Sequence, residues 1–547
     1  MGSVRLLPTV LLAVVLGLGA SRASATTYYV DPATGADTNA GTLATAPWQT
    51  IPGTRTTDDS AYLRTAWGAI TTTNKIACGD LILLKGGSTH STTTVTNGGA
   101  WAIWPDYYTA TCTAAAPITI RVATSAEWTG SSGPFTIDGT GITLTSKHFV
   151  PFGGSVCSSG GMCGLVDIES VNYVTVGGNS ATQRLVVKNV VIPSGVSMGA
   201  VGVEVVGDGA TTTAGVELGW FDVSNRTPLQ GNIGAAIEFA DIGQSILHDT
   251  TIHDWWGAGV DTGMSAVRQV RGLGVVNVTV TNSGPQSDPG GNFTNDCFNF
   301  AAAAFDDTQG GGGGVWCVNC TCANHYWNGS NSGGNDTPNI DAVVRYRNFQ
   351  VYGAGRTAST NSARVGLESS GDANFSGNAL PEQTIWLFDS IFYNNYNAGQ
   401  GRPHGAGSSF MWNTTMFRAG TNGSMIYDVC EDTGAVYDSI IDSGTAGPMP
   451  YYINNCGSSN TQNNFVPWSQ NTLYIGTSTS QPFALPGSRC TSNTTKKCRL
   501  QSDCLSGEGI CQAYSTVLYT WQMPSPARQS LCNRHFLAVL SVQREPG

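Results

Sequence analysis

Short apolar runs alternate with polar punctuation along most of this chain, and no long helical face stands out. Between about residues 165 and 445 one unit recurs. A few apolar residues lead to an Asn or Asp, and two or three more residues end on another apolar one. The instances read LVVKNVVI, GWFDVSN, ILHDTTI, VVNVTV, VWCVNCTC, RYRNFQV, WLFDSIF, MWNTTMF and VYDSII. Their polar residue is Asn189, Asp222, Asp249, Asn277, Asn319, Asn348, Asp389, Asn413 or Asp438, at spacings of 24 to 42 residues. That is the length of one solenoid coil, with the longer gaps holding loops. Asn and Asp tolerate the left-handed backbone of a sharp corner between strands. Stacked Asn side chains also hydrogen-bond from coil to coil. An antiparallel sandwich would turn every 8–12 residues or so, and an α/β repeat would show a helical period between strands. The pattern has neither, and it predicts a parallel β-helix of about nine or more coils.

The ends differ from the middle. Upstream, strands are expected at Tyr28–Val30, Leu81–Leu84, Ala116–Val122 and Pro134–Gly139. The first is followed by a convoluted polar loop bearing Gly35, Asp37, Asn39 and Gly41, residue types that take left-handed conformations. Tyr62, Leu63, Trp67 and Ile70 share one face of Ser60–Ile70, which predicts a short amphipathic helix as a cap. Ser88–Ala115 reads as a loop folded over that cap. At the very start, Arg5, the apolar run Leu6–Leu18 and Ala23-Ser24-Ala25 have the order of a signal peptide ending near residue 25. No other stretch is long and apolar enough to span a membrane. The expected divisions are a signal peptide at 1–25, a cap with first coils at 26–140, coils at 141–447, and a C-terminal cap with a Cys-rich tail at 448–547.

Composition narrows the function. The 547 residues carry a net charge of -11, only 12% are charged, and there are 69 Gly. Lys75, Lys85, Lys147, Lys188, Lys496 and Lys497 are all the lysine. Such a chain has no basic patch for nucleic acid. In an exported protein the 15 Cys read mostly as disulfides. Cys157 with Cys163 would close a short Gly-rich loop, and Cys430 with Cys456 would staple neighbouring turns. Cys317, Cys320 and Cys322 resemble half of a metal cluster, but without a second half they read as disulfide or buried thiol. Cys490, Cys498, Cys504, Cys511 and Cys532 suggest a small stapled module.

The opening YYVDPATGADTNAGT, then CGDLILLKGGST, APITI and TIDG, resembles the N-terminal portion of secreted right-handed parallel β-helix proteins of the pectate-lyase-like superfamily. The likeness covers roughly Tyr28 to Gly139. It implies an all-β, right-handed parallel β-helix solenoid with an N-terminal capping helix, here followed by the Cys-rich segment. It also implies an extracellular location and a polysaccharide partner. Lyases, hydrolases, epimerases and non-enzymatic members share the opening, so it does not name a reaction.

Candidate chemistry lies on a second family of short strands: GVEV (Gly202–Val205), AIEF (Ala236–Phe239), GVDT (Gly259–Thr262), CFNF (Cys297–Phe300) and GLES (Gly366–Ser369). If their apolar residues face the solenoid interior, Glu204, Glu238, Asp261, Asn299 and Glu368 face out. Stacked coils would then bring carboxylates within about 5 Å of one another. Glu238 and Asp261, with His253 in the intervening loop as a general base, form the expected catalytic set. Glu204, Glu238 and Asp261 form the expected ligand set for Ca²⁺, which favours hard oxygen donors. Trp255 and Trp256, by stacking on sugar rings, and Arg268 are the expected substrate-binding residues. The resulting expectation is an extracellular carbohydrate-active protein that cleaves a polysaccharide by β-elimination or hydrolysis. The alternative is a non-catalytic surface or matrix β-helix that presents loops for adhesion.

Overall fold

Apolar residues on every second position make strands that bury one face, and here those strands pair in parallel. The structure is a computed structural model that describes residues 25–58, 60–144, 163–190, 200–207, 213–225, 235–255, 257–262, 270–283, 296–300, 314–325, 329–333, 342–353 and 367–370, then short strand segments up to residue 513. Among the described residues three long sheets contain 13, 12 and 10 strands, and each sheet takes one strand from each successive coil. A typical coil runs from Arg271–Val276 in the 13-stranded sheet to Thr279–Thr281 in the 12-stranded sheet, then to Phe298–Asn299 in the 10-stranded sheet. Pairing from coil to coil is parallel, for example Thr251↔Thr279 and Thr279↔Thr321. The chain is therefore a right-handed parallel β-helix, the hand that parallel crossover connections take almost without exception.

Its interior is one continuous core. Val203, Val205, Ile237, Phe239, Val260, Phe298 and Phe300 line it from the 10-stranded sheet. Tyr346 and Phe349 stack at 4.8 Å, and Phe392 meets Phe349 edge-on at 5.9 Å. Burial of each such side chain contributes about 1.5–3 kcal/mol. The Tyr346 hydroxyl reaches Ser330 Oγ at 2.7 Å, so its polar end is satisfied inside the core.

The corners are left-handed, as the repeat predicts, but several of the described coils have two of them. Between the 13- and 12-stranded sheets φ is positive at Asp249, Asn277, Asn319, Asn348, Asp389 and Asn413. Side-chain amides link these residues along the solenoid. Asn277 donates to Asp249 at 3.0 Å, Asn319 to Asn277 at 3.0 Å and Asn348 to Asn319 at 2.9 Å. A second corner follows four three-residue strands of the 12-stranded sheet, at Asp254, Asn282, Asn324 and Gly353. Asn189 belongs to this second series and donates to Asp138 at 3.0 Å. Asp222 is not a corner. It lies inside strand Phe221–Ser224, and the left-handed residue of that coil is Trp220, with φ 57°. Register fixes this placement, because Asp222 pairs with Thr251 while Phe221 and Val223 are in the core. Asp438 lies outside the described residues.

The N-terminal cap departs from expectation. No helix forms over 60–70. Leu63 N–H instead donates to Thr54 O, and Trp67 and Ile70 exchange backbone hydrogen bonds around Gly68, at φ 55°. Trp67 and Ile70 are buried as a helix would have buried them. A tight turn achieves the same three-residue spacing, and Asp58 draws Thr56 and Ser60 into local bonds that compete with a helix. Ser88–Ala115 is likewise more than a loop, since Thr89–His90 and Gly98–Ile103 are strands of the first coil. Asp31 ties the cap together, accepting from Lys85 Nζ at 2.7 Å, Ser88 Oγ at 2.9 Å and Thr34 Oγ1 at 2.6 Å.

Cys78–Cys112, Cys297–Cys322 and Cys317–Cys320 are disulfides, which settles the C-x-x-C-x-C segment as disulfide rather than metal. Near the end, Ser488–Cys490, Asn493–Lys497 and Cys511–Ala513 form a small antiparallel sheet that pairs Cys490 with Cys511. Residues 1–24, Cys157, Cys430, Cys456, Cys498, Cys504 and Cys532 lie outside the described residues.

A buried carboxylate column as candidate active site

Parallel pairing in the 10-stranded sheet sets one residue of each coil above the next. At one register position the column reads Ala102, Asp167, Glu204, Glu238, Asp261, Asn299, Asn331, Glu368 and Gln400. Four consecutive members are carboxylates. Successive strands lie about 4.8 Å apart, so each acid has another one step away. Neighbours on the same strands, such as Val203 with Val205 and Ile237 with Phe239, point into the core, and the acids therefore take the opposite face.

The stack forms as expected, but it is not solvated. Asp167 is 1% exposed, Glu204 4%, Glu238 0% and Asp261 5%. Alternation assigns a side chain to a face and says nothing about what covers that face. Asn299, also buried, donates its amide to Asp261 Oδ1 at 3.2 Å. Burying several like charges side by side costs stability, and proteins keep such arrangements mainly where they serve function.

The remaining expected residues divide. His253 is not in a loop near Glu238 and Asp261. It ends strand Thr251–His253 of the 12-stranded sheet, while Glu238 and Asp261 belong to the 10-stranded sheet. Its Nε2 meets Asp222 Oδ1 at 3.1 Å and its Nδ1 meets Asp254 Oδ2 at 2.9 Å. Trp255 is fully buried in the core and is unavailable for stacking on a sugar. The corner at Asp254 turns the chain inward there. Trp256 and Arg268 lie outside the described residues. Glu204, Glu238 and Asp261 are adjacent along a line rather than around a point. Among the described residues no three His, Cys, Asp or Glu side chains could hold a metal ion. Calcium takes six to eight oxygens or so around one centre, the arrangement that a calcium site on this column would need.

One histidine escaped the sequence reading. His248 lies between Asp249 Oδ2, 2.8 Å from Nδ1, and Glu217 Oε1, 3.2 Å from Nε2. Burial alone would push its pKa down, but the hydrogen bonds and charges of Asp249 and Glu217 prevail and raise it to about 9. His253 repeats the arrangement at the second corner. Its bond to Asp222 outweighs burial, and with Asp254 it raises the pKa above the usual imidazole value. The repeated His-Asp dipeptide, at 248–249 and 253–254, is the signal that marks both clamps.

With the coils and the column defined, the class is plain: a parallel β-helix with an acidic column on one sheet. No protein-family model matches the chain, and no curated protein matches its sequence. Solved structures that resemble it include a rhamnogalacturonan lyase, at 13% identity and TM-score 0.42, over 90% of this chain and 97% of that one. A lacto-N-biosidase from Eubacterium ramulus aligns at 10% identity and TM-score 0.36, over 82% and 68%. A tailspike capsular polysaccharide depolymerase from an Acinetobacter baumannii bacteriophage aligns at 10% identity and TM-score 0.25, over 75% and 57%. The fold stands on the strand pairing itself, and these distant likenesses carry no argument for the reaction.

Proposed function

We propose that the chain is an exported carbohydrate-active enzyme that hydrolyses a polysaccharide at the carboxylate column, with Glu238 and Asp261 as the working pair. The observation that carries this reading is their in-register stacking on adjacent strands, both nearly removed from water. One strand step is about 4.8 Å, close to the roughly 5–5.5 Å between the two carboxyl groups of retaining glycosidases. Their environments also differ. Glu238 is fully buried, in register between Glu204 and Asp261, and takes the place of the general acid in this reading. Asp261 receives the Asn299 amide at 3.2 Å and takes the place of the nucleophile in this reading. Once a sugar displaces what covers that face of the column, Glu238 would give its proton to the departing glycosidic oxygen while Asp261 bonds to the anomeric carbon. Water would then cleave that ester, with Glu238 taking the water's proton back.

β-Elimination is the weaker reading, because it calls for a strong base and no Lys or Arg occupies the column. The three disulfides support an oxidising, extracellular location. Glu238→Gln and Asp261→Asn should each keep the fold, judged by circular dichroism. Each should lower the release of reducing ends from the responsive polysaccharide by about 10²-fold or more. Unsaturated-product absorbance in wild type would replace hydrolysis by elimination. Unchanged turnover in both variants would make the column a structural spine and favour the adhesion reading.

A further inference from the structure

We propose that Asn299 sets the substrate of the carboxylate column: a neutral sugar with a free hydroxyl beside the bond to be cut, and not a uronate. The proposal rests on the reading of Glu238 and Asp261 as the working pair. Asn299 follows Asp261 in the column by one strand step. Its surroundings hold it in place. Phe298 and Phe300, on either side of it in sequence, are fully buried in the core, and Phe298 meets Phe349 edge-on at 5.7 Å. Thr262 N–H donates to the Asn299 carbonyl at 3.0 Å. The Asn299 side chain therefore takes the same face as the acids, and it is 0% exposed.

The two ends of this amide differ. Nδ2 donates to Asp261 Oδ1 at 3.2 Å, while Oδ1 is buried and has no hydrogen-bond partner. Turning the amide over would set its oxygen against the Asp261 oxygen, acceptor to acceptor, so the orientation is fixed. A buried acceptor without a donor costs stability, and a hydroxyl of the ligand would satisfy it. Because the other end of the amide touches the nucleophile, that hydroxyl belongs to the sugar whose anomeric carbon Asp261 attacks. The hydroxyl on the neighbouring ring carbon is the donor closest to the reacting centre, and hydrogen bonds to it strengthen in the transition state. A uronate carboxylate has no hydrogen to give to Oδ1. From Ala102 to Asn299 the column offers it no Lys or Arg, and four of the six residues are themselves acids. Juxtaposed like charges are a strong means of rejection, and a neutral glycan avoids them.

The test measures reducing ends released by the full-length chain from neutral xylan, galactan and β-glucan, and from polygalacturonate and alginate. A neutral polymer should be cut with kcat/KM about 10²-fold or more above either acidic one, with or without added Ca²⁺. Asn299→Leu keeps the shape and loses the acceptor, and should lower kcat/KM on that neutral polymer roughly tenfold. Methylating the hydroxyls of the polymer should slow wild type more than it slows Asn299→Leu, because only wild type then loses a hydrogen bond. Equal slowing would mark a structural role for Asn299 and overturn the proposal. Unchanged kcat/KM in Asn299→Leu would leave Oδ1 to an ordered water and overturn it as well. So would preference for an acidic polymer, or no release from any neutral one, while Glu238→Gln abolishes whatever turnover wild type shows. Full turnover in Glu238→Gln is a different result, which would overturn the reading of the column and this proposal with it.

Discussion

At the scale of single residues, Trp220 is one of two aromatic side chains held at positive φ among the described residues. A bulky side chain at φ 57° sits where later coils place Asp or Asn. Left-handed backbone costs an ordinary L-residue about 1–2 kcal/mol, and Asn less. What Trp220 offers in return is an Arg184 guanidinium 5.9 Å from its ring, worth about 0.5–1 kcal/mol at an exposed site. Trp220→Asn should therefore raise stability by up to about 1 kcal/mol, seen as a higher urea midpoint at unchanged slope. A lower midpoint would mean that the ring's packing outweighs the strain. The corner escaped the sequence reading because Asp222, two residues on, imitates the corner residue of the neighbouring coils. His248 makes the second prediction at this scale. Its folded pKa of about 9 lies above the usual value of about 6.5. Between these values the native state holds a proton that the unfolded chain has released, so stability falls as pH rises. The clamp is at full strength below about pH 6.5 and is lost as pH passes through about 9. His248→Gln should flatten that decline in melting temperature over the same window. An identical decline in the variant would place its origin elsewhere.

Between single residues and the whole solenoid stands the corner ladder. Asn319 donates to Asn277, accepts from Asn348 and holds φ 55°. Asn319→Ala should lose two hydrogen bonds and add strain, for a loss of about 2–3 kcal/mol. Asn319→Gly keeps the backbone freedom and loses only the bonds, so it should fall between Ala and wild type in chemical denaturation. If Gly and Ala were equally destabilising, conformation would have no part in the ladder. These corners were legible in the sequence because a left-handed position demands a narrow set of residue types. The second series was equally legible in principle, since Asp254, Asn282 and Asn324 each follow a first-series corner by a short strand. The capping helix was misread because apolar spacing alone cannot separate a helix from a turn closed at Gly68.

At the scale of the molecule, the parallel stacking was readable because it repeats, and each coil corroborates the last. The carboxylate column was readable to its register and its side of the sheet: Glu204, Glu238 and Asp261 align as their spacing implies. Its burial was not, because alternation assigns a side chain to a face without fixing what lies over that face. Trp255 and His253 were misplaced for a related reason, since a corner redirects the chain within one residue. The paired corners also bear on how this scaffold tolerates added sequence. They hold the strands of the 12-stranded sheet to a fixed span, as in Thr251–His253, Thr279–Thr281, Thr321–Ala323 and Gln350–Tyr352. The next connection, by contrast, runs from Thr281 to Phe298 in one coil and only from Ala323 to Ser330 in the following one. A peptide grafted into the first kind of segment would break both amide ladders at once. Grafted into the second, it would extend a connection whose length already varies, which makes those connections the natural ports for an epitope tag or a new recognition loop.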